Sequence, residues 1–177
     1  FSSAVLNPGW TGSIQSRRQR PVPSGGSLLL PSAVSGADEY SSALSRRPSS
    51  ADYDYETHMA CGSNNLGGLA YMSNAANLVV FGTERGKLVI RQVRDGHASD
   101  LFVGQYEGED IWLRISVYDV NTLRFFYSGD GKKWQPVGDI VTDVFASVRK
   151  SYYKPGIINV GHDGSAVAFY EFRMTDK

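Results

Sequence analysis

The sequence predicts an all-β protein, an antiparallel two-sheet sandwich with jelly-roll-like connections. Three observations support this prediction. Apolar and polar side chains alternate with period two in repeated short segments, as in strands that are buried on one face. Nineteen glycines and recurrent Asp-Gly pairs supply turns at short intervals. No helical pattern of adequate length interrupts the series, so the strands are expected to follow one another directly.

The alternation is clearest in residues 53–59, 111–117 and 123–127. In each of these segments the residues at odd numbers are predicted to face the core, and those at even numbers to face outward. Six further segments have strand-like composition and bring the total to about ten strands. They are SLLL at 27–30, GLAYM at 68–72, NLVVFG at 77–82, KLVIRQV at 87–93, GIINVG at 156–161 and VAFYEFRM at 167–174.

Turn-forming pairs separate these segments, the clearest being Asp95-Gly96, Asp130-Gly131 and Asp163-Gly164. Each is predicted to reverse the chain because Gly adopts positive φ without steric cost. Residues 142–153 are a weak helix candidate, but a Pro-Gly pair follows them, so we expect one helical turn at most. The region up to about residue 50 is rich in Ser, Pro and Arg, and it is expected to form long loops around few strands.

The length of 177 residues fits one sandwich domain over residues 1–177. Because Phe1 is not an initiator methionine, we expect this domain to be excised from a larger chain. Eighteen basic residues balance eighteen acidic ones, so neither nucleic acid nor a membrane is the expected partner. A neutral ligand fits this balance. The single cysteine, Cys61, excludes an internal disulfide, and we expect it to be a buried small apolar residue.

Candidate catalytic groups are few. The three histidines are widely separated in the sequence, so no metal site and no cofactor are expected. Glu107, Glu109 and Asp110 cluster in YEGEDIW, but nothing identifies the partner carboxylate that glycoside hydrolysis requires. Nucleophile-elbow and phosphate-loop motifs are absent from the sequence. We therefore expect no catalytic residues.

Aromatic residues make up 12% of the chain, so exposed rings that could stack on a sugar are the candidate binding residues. Trp134 follows the turn in FFYSGDGKKWQPVG. It is either a core anchor beside Phe125 and Tyr127 or a sugar platform, and the core interpretation is preferred. The rings expected to be exposed are those in loops, namely Trp10, Tyr40, Tyr152 and Tyr153.

Five segments, taken in order, carry a resemblance to a known family. They are ALSRRPSSADYDYETHMAC, NLGGLAYMSNAANLVVFG, KLVIRQVRDG, IWLRISVYDVNTLRFFYSGDGKKWQPVG and GIINVGHDGSAVAFYEFRM. They resemble the concanavalin A-like β-sandwich domain at the C-terminus of family 43 glycoside hydrolases, especially β-xylosidases. The resemblance runs from about residue 25 to the end, and FSSAVLNPGW is similar to the opening of such domains.

The resemblance implies a domain that is not itself catalytic and that packs on a five-bladed propeller bearing the catalytic acids. It also implies a loop aromatic that helps to close the active-site pocket. Some such domains bind xylan. The family's Gly-Gly-Phe-Thr-Gly loop is replaced here by SYYKPG, which leaves the pocket role to Tyr152 or Tyr153. Ala168 replaces an acidic residue of the family, so no metal site is expected there.

We therefore expect a non-catalytic carbohydrate-binding or accessory domain of a polysaccharide-degrading glycoside hydrolase, directed at xylan. Its expected carbohydrate-binding or partner-facing residues are Tyr152, Tyr153, Tyr40 and Trp10. The expected partners are a neutral polysaccharide or oligosaccharide and a catalytic domain in the same parent chain. An extracytoplasmic or secreted location is favoured. Two alternatives stay open: a purely structural domain that buttresses a catalytic partner, and a small glycosidase with its own carboxylate pair.

Overall fold

The computed structural model describes residues 9–12, 20–144 and 153–177, which fold into two antiparallel sheets of seven strands each. This confirms the predicted all-β sandwich. The described part of the chain contains no helix. It therefore contains no helix that is long and apolar enough to cross a membrane. Residues 142–144 and Tyr153, the described parts of the weak helix candidate, are not helical, and residues 145–152 lie outside the described ranges.

The first sheet has the spatial order β1-β4-β13-β6-β7-β8-β9. Its strands are β1 (Thr11–Gly12), β4 (Ala43–Ser45), β13 (Lys154–Val160), β6 (Leu66–Asn74), β7 (Asn77–Glu84), β8 (Lys87–Arg94) and β9 (His97–Gln105). The predicted Asp95-Gly96 turn joins β8 to β9, and both of its residues have positive φ, at 50° and 80°. That geometry suits a tight hairpin.

The second sheet has the order β12-β11-β10-β5-β14-β3-β2. Its strands are β12 (Gln135–Val141), β11 (Thr122–Ser128), β10 (Asp110–Tyr118), β5 (Tyr53–Ala60), β14 (Ala166–Asp176), β3 (Ser27–Pro31) and β2 (Val22–Ser24). Only three described strands, β2, β3 and β4, lie between residues 20 and 50, as the loop-rich composition predicted.

The main core lies between the two sheets. Phe81 of the first sheet and Phe125 of the second are both almost fully buried, and their ring centres are 5.4 Å apart in an edge-to-face contact. The predicted inward sets of β5 and β10 are confirmed. All their members are buried: Tyr53, Tyr55, Thr57 and Met59 on β5, and Ile111, Leu113, Ile115 and Val117 on β10.

A second apolar cluster lies on the outer face of the first sheet, because β6, β7 and β8 carry aliphatic side chains on both faces. Leu78 and Val80 alternate with the inward Val79 and Phe81, and all four are buried. Near-continuous apolar runs are typical of strands that are covered on both sides. Tyr40 packs within this cluster.

A hydrogen-bond network centred on Asp163 ties β3 and the start of β6 to the turn before β14. Its Oδ1 atom accepts from Asn65 Nδ2 at 2.8 Å, from Ser32 Oγ at 2.9 Å, and from the backbone N and Oγ of Ser165 at 2.9 and 2.8 Å. These donors, Asn65 first among them, hold the pKa of Asp163 well below its usual range. The ionised carboxylate therefore has a structural role.

The lowered pKa of Asp163 predicts that the stability of the protein depends on pH in the acidic range. Because its pKa is depressed by folding, its contribution is fully present above the unfolded pKa of about 3.9 and is lost as the pH falls toward the native value. The melting temperature of the wild type should therefore fall below about pH 4, and that of Asp163→Asn should fall less steeply. Thermal unfolding across this range tests the prediction, with Asp139→Asn as the control for loss of one surface carboxylate. Parallel curves for the two variants would contradict it.

Candidate functional site

The outer face of the second sheet is aromatic and charged, in contrast to its apolar inner face. Strand alternation turns the even-numbered residues of β10 and β5 outward, and the register of β10, β5 and β14 aligns them in rows that cross the strands. We call this surface the aromatic face. Its residues are Asp54, Glu56, His58, Trp112, Arg114, Ser116, Tyr118, Tyr170, Glu171 and Arg173, with Trp134 from the loop before β12.

The first row is built around Trp112. The imidazole of His58 stacks parallel to the indole, with ring centres 4.5 Å apart and planes within 1°. This separation is close to the spacing between neighbouring strands, so the rings stand side by side on β5 and β10. On the β11 side, a Cβ atom added to Gly131 would lie 2.9 Å from Trp112 Cε2, so the turn backbone lies against the indole. Both faces of Trp112 are thus occupied by protein.

Tyr170 ends this row with an exposed ring. It lies at a β-bulge between Phe169 and Glu171, and it retains 39% of its surface in solvent. Bulges commonly re-aim a side chain at the surface of a sheet. The Tyr170 ring is tilted against His58, with centres 4.9 Å apart, and His58 Nε2 lies 3.4 Å from Asp110 Oδ2.

Trp134 lies in the second row, and its position corrects the expectation that it belongs to the core. The Cζ atom of Arg114 is 3.8 Å from the centre of the indole ring, and the Trp134 side chain is only half-buried. Glu56 Oε1 accepts from Arg114 Nε at 2.8 Å and lies 2.7 Å from Nη2, which fixes the guanidinium plane. The indole therefore packs on a cation on the outside of the sheet instead of on Phe125 within it.

Asp130 shapes the turn that carries Gly131 and Trp134. Its Oδ1 atom accepts from the backbone N–H groups of Lys133 and Lys132, each at 2.8 Å, and from Ser128 Oγ at 2.9 Å. These donors lower the pKa of Asp130 to about 2. The predicted Asp130-Gly131 turn is confirmed, with Gly131 at φ 69°. The turn is thus a local structure that sets the approach of Trp134 to the sheet.

Charges on the aromatic face are paired with one another. Asp54 accepts from Ser116 Oγ at 2.5 Å and pairs with Lys177 Nζ at 2.7 Å, while Arg173 forms an ion pair with Glu171. Lys177 also lies 4.0 Å from the ring centre of Tyr118. Because both signs are interspersed, the face offers many hydrogen-bonding groups without a strong field of one sign.

Two of the aromatic residues expected to be exposed are instead buried. Tyr153 keeps 3% of its surface in solvent and packs 5.5 Å from the ring of Tyr71, within the core between the sheets. Tyr40 keeps 7% and belongs to the apolar cluster outside the first sheet. Burial raises the pKa of each phenol to about 12. The expected exposure of Tyr40 and Tyr153 is wrong because each side chain packs against a sheet.

The other two residues expected to be exposed are Trp10 and Tyr152. Trp10 is half-buried, with its ring centre 4.8 Å from that of Phe172 and 5.7 Å from Arg46 Cζ, so much of the ring packs against the protein. Tyr152 lies outside the described residues. A ligand-facing or partner-facing role for these two residues stays a prediction.

The acidic cluster around the start of β10 lies at the surface. Glu107, Glu109 and Asp110 are exposed, and Asp110 faces His58 as described above. Cys61 packs against the core but is half-buried, so it is less buried than expected, and this partial burial raises the pKa of its thiol to about 11. Over residues 9–12, 20–144 and 153–177, no three His, Cys, Asp or Glu residues are grouped as metal ligands would be.

The architecture places the protein in the class of concanavalin A-like β-sandwich domains, and sequence comparison gives the family. The model of the family described as "Beta xylosidase C-terminal Concanavalin A-like domain" matches residues 1–172. The chain belongs to this family. A search of curated proteins found no match.

Solved structures share the fold at low sequence identity. A xylan β-1,4-xylosidase from Bacillus halodurans superposes with a TM-score of 0.80 at 19% identity, over 98% of this chain and 38% of that one. A GH43 protein from Bacillus licheniformis gives 0.81 at 18%, over 99% and 38%. The Bacteroides ovatus protein titled "Xyloglucan PUL GH43B" gives 0.81 at 17%, over 99% and 38%. The chain thus spans 38% of the length of each of these proteins.

Proposed function

We propose that this chain is a non-catalytic accessory domain of a glycoside hydrolase that degrades xylan, and that its aromatic face binds the polysaccharide. The observation that carries the proposal is Trp134, a half-exposed indole held in place by Arg114 on the outer surface of a rigid sheet. Membership of a β-xylosidase C-terminal domain family supports the association with a catalytic domain. The similar solved chains are larger than this one, as the association with a catalytic domain would require.

The layout of the aromatic face suits an extended sugar chain. Trp134 packs over β10 and Tyr170 projects from β14, and β5 is the single strand between them. Two strand spacings separate β10 from β14, about 10 Å. A polysaccharide crossing the strands would meet an aromatic ring near each end and the charge-paired groups of β5 between them. Rings would stack on the sugar C–H faces, and Arg and Glu side chains would hydrogen-bond the hydroxyls.

A second candidate function, a buttress that binds no sugar, is favoured by Trp112. Because His58 and the Gly131 backbone cover both faces of this indole, part of the aromatic face is a packed layer and not an open platform. The two functions differ in what the chain does alone. Only the carbohydrate-binding function requires the isolated chain to be retained by xylan.

Affinity electrophoresis in gels that contain soluble xylan separates these functions. The wild type should be retarded, and Trp134→Ala and Tyr170→Ala should each weaken affinity about tenfold, the upper end of what one ring contact contributes. Because Trp134 is outside the core, Trp134→Ala should cost only about 1 kcal/mol of stability. Trp10→Ala is the matched control, a half-buried tryptophan away from the aromatic face.

The outcomes of this experiment are distinct. Equal retardation of all variants would remove the aromatic face as the binding site, and weakening by Trp10→Ala alone would move the site to Trp10. A wild type that is not retarded would favour the buttress. Hydrolysis of aryl xylosides by the isolated chain would show that the domain is itself a glycosidase, against the proposal.

A further inference from the structure

A groove of about 370 Å³ lies on the outer face of the second sheet, over β5, β14 and β3. Leu29 and Ala168 are paired across β3 and β14, and both point away from the core because their strand neighbours Leu30 and Val167 point into it. Ala60, at the end of β5, is a further aliphatic residue that lines the groove. We call these side chains the floor of the groove.

The groove continues the aromatic face. Ala60 and Ala168 lie two residues along their strands from His58 and Tyr170, which is a distance of about 7 Å. Trp134 lies in the second row and over β10, Tyr170 lies in the first row and on β14, and the groove lies beyond the first row and reaches β3. A sugar chain that passes from Trp134 to Tyr170 and keeps its direction therefore enters the groove.

A polar wall bounds the groove where β5 ends and β14 begins. Ser63 and Asn64 line it from the loop after β5, and Asp163 and Ser165 line it from the turn before β14. Asp163 is exposed, and its Oδ1 atom accepts all the hydrogen bonds described above, whereas its Oδ2 atom accepts none from the described residues. These contacts fix the carboxylate, and its lowered pKa keeps it ionised at neutral pH. Asp163 Oδ2 is thus a fixed acceptor with free capacity.

The groups in the groove match a neutral sugar. An aliphatic floor can contact the C–H face of a pyranose, and an ionised carboxylate accepts hydrogen bonds from its hydroxyls. The thiol of Cys61 also lines the groove, but its raised pKa keeps it protonated at neutral pH, so it does not act as a thiolate. Among the described lining residues Asp163 is the only acid, whereas a calcium ion takes about six to eight oxygen ligands.

We propose that this groove binds the terminal sugar unit of the polysaccharide. This inference rests on the proposed function, which lays the sugar chain across the aromatic face. The path from Trp134 to Tyr170 runs toward the end of β5 and the start of β14, and the polar wall stands across it. A terminal unit also carries a hydroxyl that a glycosidic bond occupies in an internal unit. Asp163 Oδ2 accepts a hydrogen bond from this hydroxyl, which distinguishes the chain end from the rest of the polymer.

The test compares a ligand that is rich in chain ends with one that is poor in them. Isothermal titration with xylohexaose reads the groove, and retardation by long soluble xylan reads the aromatic face. Ala168→Leu fills the groove, and Asp163→Asn removes the ionised acceptor. Each should weaken the affinity for xylohexaose about tenfold and leave the retardation by xylan unchanged. Ala98→Leu is the matched control, because Ala98 is exposed on β9 at the edge of the first sheet, and it should change neither measurement.

A second titration identifies which end of the sugar chain is bound. Borohydride reduction opens the ring at the reducing end of xylohexaose and leaves the other end intact. Unchanged affinity of the wild type for the reduced sugar would place the non-reducing end in the groove, and weaker affinity would place the reducing end there. Either result supports the proposal if Ala168→Leu weakens binding of the unreduced sugar.

Wild-type affinity of Ala168→Leu for xylohexaose would overturn the proposal. An equal loss in both measurements would also overturn it, because the groove would then take internal units. A melting temperature that calcium raises in the wild type but not in Asp163→Asn would assign the groove to a cation instead.

The two proposals can fail separately. Retardation by xylan that depends on Trp134, without an effect of Ala168→Leu on xylohexaose, would support the aromatic face and overturn only the groove. Binding of xylohexaose that depends on Ala168, without retardation by xylan, would do the reverse. Melting temperatures check that the variants fold, and Ala168→Leu leaves the hydrogen bonds of Asp163 in place if Asp163→Asn does not fold.

Discussion

Replacement of Phe125 by Ala should lower the free energy of unfolding by about 3–5 kcal/mol, among the largest effects expected for a side-chain truncation here. Phe125 is 1% exposed and contacts Phe81 across the two sheets, with ring centres 5.4 Å apart. Its removal would leave a cavity in the middle of the sandwich and would delete a contact that joins the sheets. The rigid strands on either side limit how far the site can collapse.

The next residue along the strand provides the control. Phe126 has the same side chain but points to the outer face and is only half-buried. Phe126→Ala should therefore cost about 1 kcal/mol. Urea denaturation of the two variants, followed by fluorescence, measures the difference directly. Similar midpoints for both would contradict the core described here.

Replacement of Gly82 by Ala should destabilise the protein by about 3 kcal/mol or more, at or beyond the usual upper end for overpacking. A Cβ atom at this position would collide with the backbone carbonyl oxygen of Gly67 on the neighbouring strand, and one at Gly68 would collide with that of Phe81. The obstacles are backbone atoms in the interior of a sheet, so no side-chain rotation can relieve the overlap. The expected loss comes from crowding, since Gly82 does not have positive φ.

Gly129→Ala is the matched control, because nothing lies within 4 Å of a Cβ atom at that position and its φ is not positive. We expect it to change stability by no more than about 0.5 kcal/mol. Differential scanning calorimetry of the two alanine variants gives the comparison. A Gly82→Ala protein as stable as Gly129→Ala would show that β6 and β7 do not approach as closely as described.

The sequence predicted the strands well because their signal is local. Alternation in YDYETHM and IWLRISV identified the inward and outward residues of β5 and β10 correctly. Asp95-Gly96 and Asp130-Gly131 each join two paired strands as predicted, whereas Asp163-Gly164 connects β13 to β14 in the other sheet and is not a hairpin turn. The outward Trp112 and Arg114 were therefore visible as a pattern. What the pattern could not show is that β5 lies beside β10 and brings His58 and Glu56 against them, because that pairing joins residues more than 50 positions apart.

Exposure of the aromatic residues was less predictable. Tyr40 and Tyr153 follow loop-like composition, yet both are buried, because a loop can fold against a sheet without leaving a trace in its own sequence. The prediction for Trp134 was wrong in the opposite sense, because a residue expected in the core is partly exposed. Its neighbours Phe125 and Tyr127 suggested a core, but the turn set by Asp130 carries the indole to the outer face, where Arg114 receives it.

The sequence by itself determined the fold class, the strand segments and the inward and outward faces of the clearest strands, since period-two alternation and glycine turns act between neighbouring residues. Only the tertiary structure decided which rings are exposed and which charges are paired. Those properties depend on contacts between residues far apart in the chain. Glu56 and Arg114, 58 positions apart, form an ion pair only because β5 and β10 lie side by side in the second sheet.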